Sequence, residues 1–302
     1  MSASFGKGTA LFTATLIAAG RLSPQTLSDA ADALATAGCA PTSRGWIDEG
    51  DAADIVFGFA PDVAREALEG QFAGVDVVVQ PMEGRAKMLL VADMDSTMIT
   101  VECIDELADY AGIKPQIAAI TEAAMRGELD FAAALDARVA LLRDLDAGAI
   151  DRCRAERVKL MPGATTLVRT MRERGATTIL VSGGFTAFAD PVGAEIGFDR
   201  VIANRLEIGE GRLTGAVGKP IVDSSTKERV LREARAELAL AEAATLAVGD
   251  GANDLAMIAI AGLGVAYHAK PIVAQAAAAR IDHGDLTALL WAQGIAKRDW
   301  VA

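Results

Sequence analysis

The sequence predicts an α/β protein. A Rossmann-like parallel-sheet core carries a helical cap and is preceded by a small ferredoxin-like βαββαβ domain. Three observations support this. Apolar runs at 88–92, 177–181 and 245–248 each end in a polar cluster, with helical patterns between them, as in a parallel sheet with crossovers. The first eighty residues alternate strand and helix patterns on a shorter scale. Residues 100–159 are amphipathic and helical, an insertion after the first core strand.

In chain order, Thr13–Ala19 reads as a strand. Ser23 is an N-cap with Pro24 at the first helical position, for a helix ending near Gly38. Thr42–Ile47 and Asp54–Phe59 read as strands, Pro61–Leu68 as a helix and Val75–Gln80 as a strand. The order βαββαβ is ferredoxin-like. It resembles small regulatory modules that bind amino acids, but no ligand motif stands out. This unit, residues 1–84, is therefore read as a structural or dimerising appendage, and a homodimer is the assembly that reading implies.

Pro81 to Lys87 is a short polar linker into the core domain, 85–302. The insertion at 100–159 is broken at Gly112, Gly127 and Asp144–Gly148, and its position makes it a cap over the site. Pro162-Gly163 opens a helix to Gly175, and the strand Thr177–Val181 follows. Residues 201–218 alternate around the turn Gly209-Glu210-Gly211 and read as a β-hairpin. Thr226–Leu240 is a helix, Thr245–Val248 and Gly264–Tyr267 are late strands, and Asp285–Gln293 is a closing helix.

Composition narrows the function. A length of 302 residues suggests about two domains, and the 52% hydrophobic content is ample for their cores. The net charge of −12 argues against nucleic-acid or anionic-membrane partners. An anionic substrate would need local positive charge. The three cysteines, Cys39, Cys103 and Cys153, are odd in number and widely spaced, which fits buried thiols in a reducing, cytoplasmic compartment. Only His268 and His283 are available, so a histidine triad or multi-histidine metal site is not expected. There is no Walker-type loop and no G-x-S-x-G elbow. Residues 8–20 read as the first strand better than as a signal peptide, and no transmembrane span is expected.

The chemistry concentrates at the strand ends. Asp93 and Asp95 sit one residue apart where the apolar run 88–92 stops, followed by Ser96-Thr97. Such a pair can diverge around a reacting group, and it suits phosphoryl transfer with a metal ion. A calcium loop counted from Asp93 would need Gly and Glu where Met98 and Ile104 stand, so that reading fails. Ser182-Gly183-Gly184 closes the second run, Lys227 opens a charged helix, and Gly249 to Asp254 closes the third run. Open α/β sheets bind ligands at these places.

The order DMDST, VSGG, Lys, GDGAND resembles the haloacid-dehalogenase-type phosphohydrolases. VECIDELA at 101–108, ARVALL at 137–142, ANRL at 203–206 and AKPI at 269–272 extend the likeness to its phosphoserine phosphatase branch, over roughly residues 85–295. The resemblance implies Asp93 as nucleophile, Asp95 as general acid and base, and Ser182, Gly183 and the Gly184 amide around the phosphoryl oxygens. Lys227 would neutralise charge on the phosphoryl group; spacing alone does not separate it from Arg229. Magnesium would be held by Asp93, Asp250, Asp254 and the Asp95 carbonyl. Asn253 would orient a water or the phosphate. Glu102 and Arg138 would take the ammonium and carboxylate of the substrate, and Met125 and Phe131 would wall off its serine moiety. Dehalogenase relatives lack the second Asp, which favours phosphate chemistry here.

The function expected is magnesium-dependent hydrolysis of O-phospho-L-serine through an aspartyl-phosphate, the last step of serine biosynthesis. The alternatives are a phosphatase or phosphotransferase for a related small phosphorylated metabolite, or an amino-acid-sensing regulatory protein. Every candidate site residue lies beyond residue 84, so a chain lacking 1–84 is expected to keep a folded core with all its catalytic groups.

Overall fold

The computed structural model describes residues 11–125 and 128–302, the side chain of Met125 excepted. The N-terminal part runs β1 (Phe12–Ile17), α1 (Pro24–Thr36), β2 (Pro41–Asp48), β3 (Ala52–Phe57), α2 (Pro61–Leu68) and β4 (Asp76–Pro81). Its strands form one antiparallel sheet in the order β2-β3-β1-β4. Ser23 caps α1 through a 3.0 Å bond from the Thr26 amide to its hydroxyl, and Pro24 follows where a missing N–H costs nothing. Successive strand residues point to opposite faces. Ala14, Leu16, Ile55, Phe57 and Val77 pack under the two helices. Ile17, Ala52 and Val78 on the other face join the apolar core of the rest of the chain.

The remainder begins with β5 (Leu89–Ala92). Four helices follow: α3 (Cys103–Tyr110), α4 (Lys114–Met125), α5 (Phe131–Ala140) and α6 (Gly148–Arg157). The chain returns through α7 (Ala164–Glu173), β6 (Thr177–Phe185), α8 (Thr186–Ile196) and β7 (Arg200–Asn204). The ribbon β8 (Leu206–Gly209) and β9 (Arg212–Val217) leads to α9 (Ser224–Glu237), β10 (Thr245–Gly249) and α10 (Leu255–Ile260). β11 (Leu263–Tyr267), α11 (Pro271–Ala276), β12 (Ala279–Ile281) and α12 (Ala288–Ala292) complete it. Six strands form a parallel sheet in the order β12-β11-β10-β5-β6-β7. From β5 the chain moves one way to β6 and β7, then crosses to β10 on the other side. The strand order therefore reverses at β5, the place where open sheets form a crevice beyond their carboxyl ends.

Several elements differ from the sequence reading. The expected hairpin at 201–218 is split: β7 joins the parallel sheet, and only β8 and β9 pair with each other. α8 was not anticipated, because Pro191 and Gly193 inside it are helix-breaking signals. Gly193 has a packing reason, since a Cβ there would lie 2.4 Å from Val201 of β7. α10 and α11 have six residues each and β12 has three, too short for a clear period. The expected cap break at Gly127 lies outside the described residues. Cys39, Cys103 and Cys153 are all buried and none forms a disulfide. No helix among the described residues is long and apolar enough to cross a membrane.

The two sheets are joined by polar contacts as well as apolar ones. Arg85 makes a two-pronged bond to Asp54 at 2.7 Å on each arm and also donates to the Ala292 carbonyl. The Gln80 amide donates to the same carbonyl at 2.7 Å. Asp76 of β4 accepts backbone N–H bonds from Asp282, His283 and Gly284. Trp291 donates its indole N–H to Asp48 at 2.7 Å.

Candidate active site

A cleft of about 530 Å³ opens beyond the carboxyl ends of β5, β6 and β10, under the helices of the insertion. That volume suits a small metabolite. Asp93, directly after β5, is 4% exposed and forms part of the floor. Its Oδ1 accepts the Met94 amide at 2.7 Å and the Lys227 ammonium at 2.7 Å. Both bonds hold the carboxyl in one orientation.

Lys227 lies fully buried beneath the floor, 2.6 Å from Asp254. The helix explains its place. Asp223 caps α9, accepting the Thr226 amide at 2.8 Å, and Thr226, Lys227, Val230, Leu231 and Ala234 form the buried stripe. Burial works against the ammonium, but the charges of Asp93 and Asp254 outweigh it and raise its pKa above the ordinary lysine value.

β10 ends at Gly249, where a Cβ would lie 2.2 Å from the Asp254 carboxyl carbon, so only glycine lets that side chain fold back under the strand end. Asp254 in turn accepts the Gly251 amide at 3.0 Å. Burial first, then the Asp93 charge, pushes Asp254 up to about 7, with Lys227 opposing. Asp250 is pushed up to about 6, first by burial and then by the charges of Asp93 and Glu102; Lys270 opposes this. Thr97 donates to Asp250 at 3.3 Å.

One carboxylate oxygen from each of Asp93, Asp250 and Asp254 lies within 4.8 Å of the others. Lys227 is paired with two of them, Asp93 and Asp254, and makes no ion pair with Asp250. That oxygen set and its excess negative charge fit a hard divalent cation.

Asp95 turns away from this cluster. Its Oδ1 accepts the Cys103 amide at 3.3 Å. Burial first, then the charges of Glu102 and Asp93, raises its carboxyl well above the usual range, so it can carry a proton. Ser182, 1% exposed in β6, accepts the Gly184 amide at 2.9 Å. The Gly184 amide, expected to face phosphoryl oxygens, is thus occupied within its own loop. The Ser182 hydroxyl keeps its own proton to donate.

Glu102, Phe131, Arg138, Gly183, Asp250 and Asn253 all line the cleft. Glu102 accepts a 2.7 Å bond from the Ser96 hydroxyl; Ser96 adopts a left-handed backbone, φ 55. Phe131 packs over Gly183, where a Cβ would come within 3.1 Å of the ring. Arg138, half-buried, donates to the Ala134 carbonyl at 3.2 Å, and burial lowers its pKa against the charges of Asp105 and Glu102. Met125 closes α4, but its side chain lies outside the described residues.

Three further residues matter that the sequence reading left without a role. Ser96 and Thr97 aim Glu102 and Asp250 respectively. Asn204, in the ANRL segment, donates to the carbonyls of Gly183 and Val222 and accepts the Val222 amide, tying the Ser182 loop to the segment that leads into α9. The adjacency of Ser-Thr to Asp-x-Asp was the available signal for the first two.

Residues 90–259 match the haloacid dehalogenase-like hydrolase family. The chain belongs to that family. It is 46% identical over 248 residues to a phosphoserine phosphatase of Streptomyces coelicolor, covering 81% of this chain and 60% of that protein. The chain thus spans about 60% of that relative's length. Among solved structures, a haloacid dehalogenase family hydrolase from Salmonella enterica serovar Typhi superposes with a TM-score of 0.82 at 28% identity, over 93% of this chain and 97% of the other. A probable phosphoserine phosphatase from Vibrio cholerae, unliganded, gives 0.73 at 32% identity over 95% and 88%.

Proposed function

We propose that this chain hydrolyses O-phospho-L-serine to L-serine and inorganic phosphate, with magnesium as the divalent cation, and that Asp93 becomes transiently phosphorylated. The observation that carries the reading is the Asp93–Lys227–Asp254 arrangement at a strand end with the Asp95 carboxyl beside it. The cation would be held by Asp93, Asp250 and Asp254, with the Asp95 carbonyl. When bound, it supplies positive charge that offsets repulsion between the phosphate and the carboxylates.

The residues of the chain divide the work. Asp93 has Oδ1 fixed by Met94 and Lys227, which leaves Oδ2 to attack phosphorus. A P–O bond to Asp93 forms and the bond to the serine oxygen breaks. Asp95 gives that oxygen its proton, so serine leaves neutral at the hydroxyl. Water then attacks the aspartyl-phosphate, Asp95 takes a proton back, and the Asp93–phosphorus bond breaks to release phosphate. Lys227 stabilises negative charge on the transferring group, and the Ser182 hydroxyl donates to a phosphoryl oxygen. Glu102 pairs with the substrate ammonium, Arg138 with its carboxylate, and Phe131 covers the serine portion. This activity would serve serine biosynthesis.

The N-terminal unit, residues 1–84, is proposed as a structural domain set against the core domain 85–302 and its cap at about 100–159. A phosphate-release screen over phosphorylated small metabolites tests the assignment. O-Phospho-L-serine is expected to give the highest kcat/KM; a clear preference for a substrate lacking the amino-acid group would overturn it.

A further inference from the structure

Lys270 enters no step described so far, yet it lines the cleft beside Asp250 and Glu102. The lining is strongly acidic: Asp93, Asp95, Glu102, Asp105 and Asp250 against two cations, Arg138 and Lys270. Lys227, beneath the floor, is committed to Asp93 and Asp254. Among the described residues the Lys270 ammonium has no ion-pair partner, although its charge acts on both Asp250 and Glu102.

Its base is well fixed. The Lys270 amide donates to the Asp250 carbonyl at 3.2 Å. Two residues earlier, the His268 ring bonds the Gly284 carbonyl at 2.9 Å. The 282–284 turn is held in turn by the buried carboxylate of Asp76, 4% exposed. The braced backbone fixes where this side chain starts, at the wall of the cleft.

We infer that Lys270 is a specificity-determining residue that, with Arg138, receives the carboxylate of the substrate. The inference rests on the phosphoserine reading above. An α-ammonium and an α-carboxylate are bonded to the same carbon. If Glu102 takes the ammonium, the carboxylate must lie next to it, where Lys270 stands on the core side and Arg138 on the cap side. A cation from each side also favours esters that carry a carboxylate over amines that lack one, since only the former gain both attractions.

The test compares O-phospho-L-serine with O-phosphoethanolamine, which keeps the phosphate and the ammonium and lacks the carboxylate. Wild type, Lys270→Gln and Lys270→Arg are assayed with both esters. Lys270→Gln is expected to raise KM for phosphoserine about tenfold more than for phosphoethanolamine, with kcat little altered, the worth of one partly solvent-screened charge. Lys270→Arg is expected to restore most of the difference. Calorimetric binding of magnesium to the substrate-free protein should not weaken in Lys270→Gln; a merely structural role for the loop, which touches Asp250, would weaken it. Equal losses on both esters, or full discrimination retained by Lys270→Gln, would overturn the inference alone. A wild type that does not prefer phosphoserine to phosphoethanolamine would overturn the phosphoserine reading and this inference with it.

Discussion

Replacing Lys227 by methionine keeps most of the side-chain volume and removes the charge that two buried carboxylates share. The contacts are 2.7 Å to Asp93 and 2.6 Å to Asp254, with Lys227 and Asp254 fully buried. At an effective dielectric of about 20, a contact of this length is worth roughly 6 kcal/mol before desolvation. Burying the ammonium returns several kcal/mol of that. Breaking such a buried arrangement from one side then costs about 3–5 kcal/mol net, because the orphaned carboxylates stay buried. Lys227→Met is therefore expected to lose that much stability in chemical denaturation of the metal-free protein. Magnesium should recover part of the loss, since it neutralises the same carboxylates. Turnover should fall about 10²- to 10³-fold even with saturating magnesium, the usual cost of removing a preorganised charge from the transferring group. A variant with wild-type stability and undiminished kcat would refute the reasoning at its base.

Asp93→Asn should abolish turnover while leaving the unfolding midpoint close to wild type, and trapping the wild-type protein during turnover should place phosphate on Asp93; label on Ser or His would exclude the mechanism. Glu102→Gln and Arg138→Ala should each lower kcat/KM on phosphoserine by roughly tens- to thousands-fold, the loss of a charge pair that substrate binding would desolvate, worth about 2–5 kcal/mol, with little change on p-nitrophenyl phosphate. Equal losses on both would show that these residues support the cap instead. Calcium in place of magnesium should inhibit, because it takes more oxygens and would engage both of Asp93; full activity in calcium would contradict this. Deleting residues 1–84 should give an aggregating or markedly destabilised chain, contrary to the expectation from the sequence, because Ile17, Ala52 and Val78 pack into the main apolar core. A soluble, active fragment would refute that.

The start points of several elements, and the strand ends where the candidate residues gather, were legible because they follow from short-range signals; the strand order was not. α1 and α2 are announced by Ser23-Pro24 and Pro61, and the observed helices start at those prolines. The three apolar runs became β5, β6 and β10 because residues buried on both faces read as continuous hydrophobic stretches. What stayed hidden was set by tertiary contact. Gly193 signals a break, yet it marks where α8 touches β7. Lys227 could in fact have been told from Arg229 by phase: Lys227 is three, four and seven residues from Val230, Leu231 and Ala234, all buried, whereas Arg229 points outward to Glu233. Lys270 stood in the AKPI segment but carried no role there, since its meaning depends on carboxylates brought to it by the fold.

The face that the N-terminal sheet turns toward the core is unusually polar for a buried surface: Thr15, Asp54, Asp76 and Gln80 all lie on it, one residue out of phase with Ala14, Leu16 and Val77 under the helices. Buried polar groups are costly unless bonded, and bonded ones fix a single arrangement, because a shift of register would orphan them together. Here their partners come chiefly from Arg85 and from residues 282–292. Arg85 and Gln80 meet at the Ala292 carbonyl, and Asp76 holds the amides of 282–284. Those amides belong to the turn whose Gly284 carbonyl bonds His268, two residues before Lys270. A sliding contact between apolar faces would leave that turn free to move. A carboxylate that gathers three successive amides does not, so the N-terminal unit reaches the cleft through one turn and one histidine without contributing a side chain to it.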